Sequence, residues 1–310
     1  MMPGHALDGT RIVPFSDVRI DLLSGVVNYG LGCFEGIRAY WVETEQQLYI
    51  FRLAEHLRRL QASAGILQIS LPEDLDEFAT AICELLRVEN CQEDVYIRPL
   101  AFKKNLAMGG RLDRLDDAIL TWVSPIKDDP RLETGLKVSI SQIRRINSDA
   151  VPTEAKLTGT YANPLLARTR AQIAGYDDCI LLNADGRVAE GSGWNILLIK
   201  NGSLITPALG EDILAGITRD ALMKLAANDL QLEVEERGVH VEELFSADEI
   251  LACGTGVQIL PIIEIDDKKI GNGRAGEHFQ GFWKLYREIV HHTNKSYDDW
   301  LMPVYPGVTD

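Results

Sequence analysis

The fold of this chain is decided by one stretch, Val151-Pro152-Thr153-Glu154-Ala155-Lys156-Leu157-Thr158-Gly159-Thr160-Tyr161-Ala162-Asn163. Lys156 alone would carry little weight, because most lysines are solvated surface charges. Its neighbours are more informative: Pro152 ends the structure before it, and Tyr161 can bring a phenol near the same ligand. The stretch therefore indicates a lysine whose amine serves a bound ligand.

Length and composition are those of an ordinary globular protein. With 310 residues, 46% hydrophobic and 25% charged, the chain can form two domains and a large core. Its formal net charge of −15 would repel phosphate groups outside a local basic pocket, so we expect no nucleic-acid and no membrane partner. No apolar run approaches about 18 residues, and residues 1–5 do not read as a secretory leader, which favours a cytoplasmic protein.

Neither a metal site nor a disulfide framework is expected. The cysteines are odd in number and form no C-x-x-C pair, which is typical of reduced, mostly buried thiols. The histidines form no H-E-x-x-H motif. The five cysteines are Cys33, Cys83, Cys91, Cys179 and Cys253.

Two patterns near the N-terminus place further candidates. Residues 25–38 are rich in glycine and read Gly25-Val26-Val27-Asn28-Tyr29-Gly30-Leu31-Gly32-Cys33-Phe34-Glu35-Gly36-Ile37-Arg38, which is typical of strands with close backbone approaches. Residues 52–65 predict a helix with Arg59 away from its apolar stripe. The stripe consists of Leu53, Leu57, Leu60 and Ala64.

A strand over residues 95–100 carries two polar side chains. Alternation places Tyr96 and Arg98 on one face and Val95 and Ile97 on the other. The polar face is therefore a candidate pocket surface.

Three corners in the second half can hold charged groups. Glu190 ends a strand at a Gly-rich corner, where composition alone predicts an exposed carboxylate. Gly216-Ile217-Thr218 begins a helix, whose first N–H groups favour an anion. Gly254-Thr255-Gly256 forms a tight turn that can nest another anion.

Together and in this order, over roughly residues 5–275, these motifs resemble the fold-type IV (class IV) pyridoxal-phosphate aminotransferases, most closely the branched-chain amino acid aminotransferases. The resemblance implies an α/β (α+β) two-domain fold of the D-amino acid aminotransferase-like or branched-chain aminotransferase-like kind. It implies a small N-terminal α/β domain at 1–127, a linker at 128–135, and a large C-terminal domain at 136–310 with a pseudo-barrel that carries Lys156.

The resemblance also implies pyridoxal 5′-phosphate as cofactor, with Lys156 as the catalytic residue that forms a Schiff base with it. Glu190 would meet the ring nitrogen, Tyr161 the ring oxygen and Arg59 the phosphate. The implied cofactor-binding residues are Arg59, Lys156, Tyr161, Glu190, Gly193, Ile217, Thr218 and Thr255.

For the substrate, the shared face of Tyr96 and Arg98 predicts that Tyr96 holds the α-carboxylate with the backbone of residues 255–256. Arg98, helped by Tyr29, would meet the distal carboxylate of glutamate. The implied substrate-binding residues are Tyr29, Phe34, Gly36, Arg38, Tyr96, Arg98, Thr255 and Gly256.

The implied reaction is a ping-pong transamination between an L-amino acid, branched-chain or related, and 2-oxoglutarate. Two alternatives stay open on the same scaffold: a class IV transaminase for D-amino acids or primary amines, and a lyase similar to aminodeoxychorismate lyase. Tyr96 and Arg98 favour the transaminase over the lyase. A non-catalytic acidic interaction module would have no reason to keep the whole set of cofactor residues.

Three places depart from the family pattern. Trp194 follows the Glu190 corner where family members commonly carry a polar residue, residues 124–128 replace an aromatic-rich segment, and Lys103-Lys104-Asn105 after the Arg98 strand is atypical. If the loop at 124–128 folds over the site, the charge of Asp128 should repel glutamate and favour a small amine donor. These departures lie in the implied substrate pocket, so they bear on specificity for leucine, isoleucine and valine.

An apolar tail at residues 297–306 predicts a partner surface, within the chain or on another subunit. The tail carries Trp300, Leu301, Met302 and Tyr305. Because members of the resembled family lend residues across a subunit interface, we expect a homodimer, or a higher homo-oligomer.

Overall fold

The computed structural model describes residues 3–105 and 110–306, which form two compact units. Unit 1 comprises the residues up to 127, the segment 155–159 and the residues from 288 onward; unit 2 comprises 128–154 and 160–287. The division into domains at 1–127 and 136–310 stays a prediction, and it differs from these units because Lys156 and the C-terminal segment group with unit 1. Met1 and Met2, part of the stretch on which the leader argument depends, lie outside the described residues.

The described chain contains both strands and helices. The strands are β1 His5–Asp8, β2 Arg11–Pro14, β3 Gly32–Phe34, β4 Ile37–Val42, β5 Gln47–Phe51, β6 Val95–Lys103, β7 Asp117–Pro125, β8 Leu136–Ile140, β9 Asp178–Leu182, β10 Val188–Gly191, β11 Asn195–Lys200, β12 Ser203–Pro207, β13 Glu233–Arg237, β14 Glu249–Gly254, β15 Gln258–Ile265, β16 Lys268–Lys269 and β17 Leu301–Pro303. The α-helices are α1 Gly25–Tyr29, α2 Leu53–Ile66, α3 Leu75–Val88, α4 Arg131–Thr134, α5 Ala162–Ile173, α6 Ile217–Asn228, α7 Val241–Leu244 and α8 Glu277–Val290.

The sheet of unit 1 is antiparallel and has the order β17-β5-β4-β6-β7-β1-β2, with β3 paired to β6 beside β4. Burial alternates along the first half of β6, where Val95 and Ile97 are buried and Tyr96 and Arg98 are only partly buried. The predicted shared face of Tyr96 and Arg98 is therefore confirmed.

The apolar tail finds its partner surface inside the chain. Strand β17 pairs with β5, with Leu301 opposite Phe51, and Trp300 and Val304 are buried. The tail therefore gives no argument for a second subunit.

Helices α2 and α3 supply much of the core of unit 1. All members of the predicted leucine stripe of α2 are buried, because a period of 3.6 residues brings them to one side. Helix α3 begins at an N-cap, Asp74, whose carboxylate accepts hydrogen bonds from the N–H groups of Asp76 and Glu77.

Unit 2 contains a mixed sheet of order β10-β9-β8-β15-β14-β11-β12-β13, with β16 paired to β15. Strand β8 is parallel to β9 and β15, and β12 is parallel to β13. The turn at Asn201-Gly202 joins β11 to β12, and both residues have positive φ (51° and 79°), as a type I′ turn requires. The hydrophobic core of unit 2 includes Leu136, Ile180, Trp194, Leu198, Ile250 and Leu260.

Local structure differs from expectation around the predicted linker. Ser124 and Pro125 belong to β7, so the segment expected to be a loop at 124–128 is a strand at its start. Helix α4 lies inside the stretch expected to be the linker, at 128–135.

Further findings concern thiols, metals and membranes. The five cysteines are free and buried. Over residues 3–105 and 110–306, no group of three His, Cys, Asp or Glu side chains could hold a metal ion, and no helix has the length and apolarity needed to cross a membrane.

Candidate active site

Two backbone hydrogen bonds hold Lys156 in unit 1. Its N–H donates to Ser63 Oγ at 3.0 Å, and its carbonyl accepts from the N–H of Phe34 at 3.0 Å. The next residue, Leu157, forms an isolated antiparallel bridge with Cys33. Residues of α2 and of the end of β3 both form hydrogen bonds with the main chain of Lys156. The amine can therefore move only as far from this held main chain as the lysine side chain extends.

Two glycines let the lysine segment pass close to the Gly-rich segment. A Cβ on Gly30 would lie 2.7 Å from the Cα of Gly159, and Gly30 has φ +66°. Thr158 closes the contact by donating its hydroxyl to the carbonyl of Gly30 at 2.7 Å. This approach explains the glycine after Tyr29.

The Lys156 amine and Arg98 share an aromatic neighbour. The Phe34 ring centroid lies 5.1 Å from Lys156 Nζ and 4.3 Å from Arg98 Cζ. Both are cation–π distances, which favour charged groups beside the ring. Phe34 therefore belongs with Lys156 and Arg98, as predicted for a pocket wall.

An aromatic bracket, formed by Phe34, Tyr96 and Trp122, surrounds the Arg98 guanidinium. Arg98 Nε donates to Tyr96 Oη at 3.0 Å, and Arg98 Cζ lies 5.1 Å and 5.8 Å from the Tyr96 and Trp122 ring centroids. Trp122 is the cross-strand neighbour of Arg98 in β7, a pairing that local sequence does not reveal. The bracket fixes the direction of the guanidinium on the predicted pocket face.

Other predicted wall residues are placed differently. A Cβ on Gly36 would lie 2.4 Å from Tyr96 Oη, so this glycine makes room for the phenol. Arg38 is buried in β4 opposite Tyr96. Tyr29 ends α1 with 65% of its surface exposed, and within residues 3–105 and 110–306 it makes no hydrogen bond or ring contact with Arg98.

A carboxylate that sequence analysis assigned no role orients Arg59. Glu35 is fully buried and accepts from Arg59 Nε on Oε1 at 2.7 Å and from Arg59 Nη2 on Oε2 at 2.8 Å. His56 Nδ1 lies 2.8 Å from Glu35 Oε2. His56 and Arg59 are three residues apart on α2 and therefore reach Glu35 from the same helical face.

The charge states of this cluster follow from its burial and contacts. Burial opposes ionisation of Glu35, but the Arg59 charge and the hydrogen bonds from Arg59 and His56 outweigh it and hold the pKa of Glu35 well below its usual range. Burial lowers the pKa of His56, the charges of Arg59 and Lys156 lower it further, and together they outweigh the opposing effect of Glu35, which favours the neutral imidazole. Because an ionised carboxylate only accepts hydrogen bonds, the ring proton lies on Nδ1.

In unit 2, Glu190 is buried rather than exposed. Its Oε1 accepts from Arg145 Nε at 2.8 Å, and its Oε2 accepts from the N–H of Leu214 at 3.0 Å and from Asn195 Nδ2 at 3.2 Å. The expectation from composition of an exposed turn carboxylate is wrong, because these donors replace the water that burial removes.

Arg145 is a site residue that sequence reasoning missed. It is buried, and no motif marks it; only the fold brings it to Glu190, 45 positions along the chain. Its Nη1 is buried and has no hydrogen-bond partner among the described residues. A buried donor of this kind is satisfied by a polar ligand or an ordered water.

Trp194 is a core residue of unit 2. It is 4% exposed, packs in the hydrophobic core, and donates its indole N–H to Asp178 Oδ2 at 3.0 Å. A Cβ on Gly191 would lie 2.1 Å from the indole, so the glycine of this corner accommodates Trp194. The expectation that Trp194 alters substrate specificity therefore loses its basis. The neighbouring Gly193, a predicted cofactor-binding residue, is exposed.

One of the predicted anion sites lies at the start of α6. Gly216 is the N-cap, and Ile217 and Thr218 form the first turn, as predicted. A Cβ on Gly216 would lie 1.9 Å from Asn195 Oδ1, which requires glycine there. The turn Thr255-Gly256 joins β14 to β15 within the same unit.

Asp128 is compensated within unit 2. Its carboxylate accepts from Gln258 Nε2 at 2.7 Å and from Arg287 Nη1 at 3.1 Å. The concern that its charge repels glutamate is weakened, because the neighbouring guanidinium offsets the negative charge.

Tyr161 ends a short 3-10 helix, Thr158–Tyr161, and is partly buried.

Each unit carries donors of the kinds that pyridoxal 5′-phosphate requires. Unit 1 supplies the amine of Lys156 and the oriented guanidinium of Arg59. Unit 2 supplies the buried carboxylate of Glu190 and the first turn of α6. An aldehyde requires an amine, a phosphate requires cationic and N–H donors, and a pyridine nitrogen requires an acid–base partner, so these residues fit the cofactor.

The model of the family described as "Amino-transferase class IV" matches residues 32–265 of this chain. The chain is 40% identical, over 95% of both sequences, to the probable branched-chain-amino-acid aminotransferase of Aquifex aeolicus (strain VF5).

Solved structures are similar over nearly the whole chain. One is the branched-chain aminotransferase of Thermoproteus uzoniensis with norvaline, with a TM-score of 0.92 and 36% identity over 98% of this chain and 100% of that one. Another is the T.th. branched-chain amino acid aminotransferase complexed with N-(5′-phosphopyridoxyl)-L-glutamate, with a TM-score of 0.92 and 32% identity over 98% and 99% of the two chains.

Proposed function

Because this chain belongs to the class IV aminotransferase family, we propose that it is a pyridoxal 5′-phosphate-dependent transaminase that moves an amino group between a branched-chain or related L-amino acid and 2-oxoglutarate. The observation that carries the proposal is Lys156, whose main chain is held by Phe34 and Ser63 in the unit that also orients Arg59 and Arg98. The similar structures solved with norvaline and with N-(5′-phosphopyridoxyl)-L-glutamate support this substrate class.

Each residue has a physical task in this proposal. Pyridoxal phosphate, when bound, is an electron sink that stabilises negative charge at the substrate Cα. The Lys156 amine would hold the cofactor and would take the proton from the substrate Cα at Nζ. The Glu190 carboxylate would favour a protonated ring nitrogen, because opposite charges attract. Arg59 would donate to the phosphate, as would the first N–H groups of α6.

Substrate contacts follow from the aromatic bracket. Phe34, Tyr96 and Trp122 offer apolar surface to a branched side chain, and Arg98 offers a charge to the distal carboxylate of glutamate. Two donors that take turns in one site need both surfaces, so this arrangement favours a transaminase over a lyase.

Donor screening tests the proposal. The full chain, purified with pyridoxal 5′-phosphate, should lose its visible cofactor band when leucine or glutamate is added, and should keep the band with D-alanine or an aromatic amine. Borohydride reduction followed by peptide mapping should place the pyridoxyl label on Lys156. A response to D-alanine or the amine alone would instead indicate the altered specificity, and a label on another lysine would overturn the site.

We extend the proposal to a homodimer in the cytoplasm. Both units expose large apolar side chains that a partner subunit would cover. They include Leu22, Leu23 and Tyr29 in unit 1 and Leu165, Leu166 and Ile173 in unit 2. The free, buried cysteines suit a reducing compartment.

Light scattering at micromolar concentration should give about twice the chain mass of 34.5 kDa. Leu22→Ser should shift the distribution toward that single-chain mass, because it removes an exposed apolar contact, while Val88→Ser, at another exposed apolar position, should not. A wild-type mass of one chain would contradict the dimer.

A further inference from the structure

Two adjacent residues, Phe34 and Glu35, form hydrogen bonds with Lys156 and Arg59, respectively. The N–H of Phe34 donates to the Lys156 carbonyl, and the next residue, Glu35, turns its carboxylate to His56 and Arg59 on α2. The backbone N–H of Glu35 is itself held by the carbonyl of Pro99 at 3.0 Å. One dipeptide therefore holds both the main chain of Lys156 and the guanidinium of Arg59.

We propose that Glu35 is the positioning residue of the phosphate subsite, holding the Arg59 guanidinium in one orientation, with His56 holding the carboxylate in place. The inference rests on the proposed function, in which Arg59 meets the cofactor phosphate. Contact through Nε and Nη2 fixes the plane of the guanidinium. An arginine ordered by folding loses less rotamer freedom when it binds an anion.

Charge alone predicts the opposite behaviour, which makes the inference testable. Glu35 carries a negative charge close to Arg59, so in a purely electrostatic subsite neutralising Glu35 should tighten phosphate binding. If Glu35 acts by position, neutralising it should weaken binding. In Glu35→Gln, the amide N–H₂ must face a donor in either orientation, because every side chain that contacts this carboxylate donates to it.

The measurement compares dissociation constants for pyridoxal 5′-phosphate and for pyridoxal, which lacks the phosphate, on the full chain freed of cofactor. Glu35→Gln should reduce the preference for the phosphorylated form by about tenfold or more, the effect of losing a charge-assisted contact, and leave pyridoxal binding unchanged. A role confined to general stability would weaken both ligands equally.

Arg59→Lys tests the same idea without changing Glu35. Lysine keeps the positive charge but cannot make a two-nitrogen contact with a carboxylate, so the phosphate preference should fall nearly as far as in Arg59→Met. Adding Glu35→Gln to Arg59→Met should cause no further loss, because the two residues act as one unit. If Glu35→Gln fails to fold, Arg59→Lys decides the question.

The matched control is Glu55→Gln, which removes another carboxylate that contacts an arginine, Arg52, at α2. It should leave the phosphate preference unchanged. If wild type shows no preference for the phosphorylated ligand, the proposed function and this inference both fall. If wild type and Arg59→Met behave as expected but Glu35→Gln tightens phosphate binding, or Arg59→Lys retains the preference, only the positioning role is overturned.

Discussion

Lys156→Ala should lower kcat for the leucine and 2-oxoglutarate pair by more than about 10²–10⁴-fold, the contribution typical of general acid–base catalysis, because covalent attachment of the cofactor is lost as well. The main chain on both sides of residue 156 is held by Ser63 and Phe34, so truncation removes the amine without moving the segment. Steady-state rates with pyridoxal 5′-phosphate in excess measure the loss.

Two comparisons separate a missing amine from a damaged fold. Lys137→Ala removes a lysine that is half exposed on β8 and pairs with Glu264, and it should keep the wild-type rate. Methylamine added to Lys156→Ala should restore part of the rate, because a free amine can take over the proton. A Lys156→Ala rate within tenfold of wild type would refute the catalytic assignment.

Arg98→Met should depress kcat/KM for glutamate or 2-oxoglutarate by about 10- to 150-fold and leave the half-reaction of leucine within a few-fold of wild type. The loss corresponds to a charge-assisted contact of about 1.5–3 kcal/mol. Methionine preserves apolar packing against Phe34, Tyr96 and Trp122, so the wall that meets leucine should remain. Stopped-flow half-reactions with each donor measure both effects.

Arg58→Met provides the control, because Arg58 lies on the exposed side of α2 with 67% of its side chain accessible. It should change neither donor. Equal losses for both donors in Arg98→Met would mean that Arg98 supports the aromatic bracket or binds the α-carboxylate, and the pocket assignment would be wrong.

Patterns that repeat within a few residues were predictable from the sequence. The stripe of α2 and the shared face of Tyr96 and Arg98 both agree with the structure. Each depends on a backbone period that acts locally, so no knowledge of distant residues was needed. The start of α6 at Ile217 belongs to the same group.

Packing decided the features that sequence analysis misjudged. Composition predicted an exposed Glu190, yet Asn195, Leu214 and Arg145 donate to it in a buried corner. Trp194, expected to alter the pocket, fills the core instead. Neither outcome follows from residue type, because burial depends on which groups the fold brings near.

The family motifs, the candidate lysine and the faces of the elements that carry the candidate site could therefore be predicted from the residues alone. The contact of Glu35 with Arg59, 24 positions away, and the pairing of β17 with β5 became visible only in the folded chain. The physical reason is range. Backbone periodicity acts within a few residues, whereas the pairing of buried charges and the covering of a sheet edge depend on groups that become neighbours only after the chain has folded.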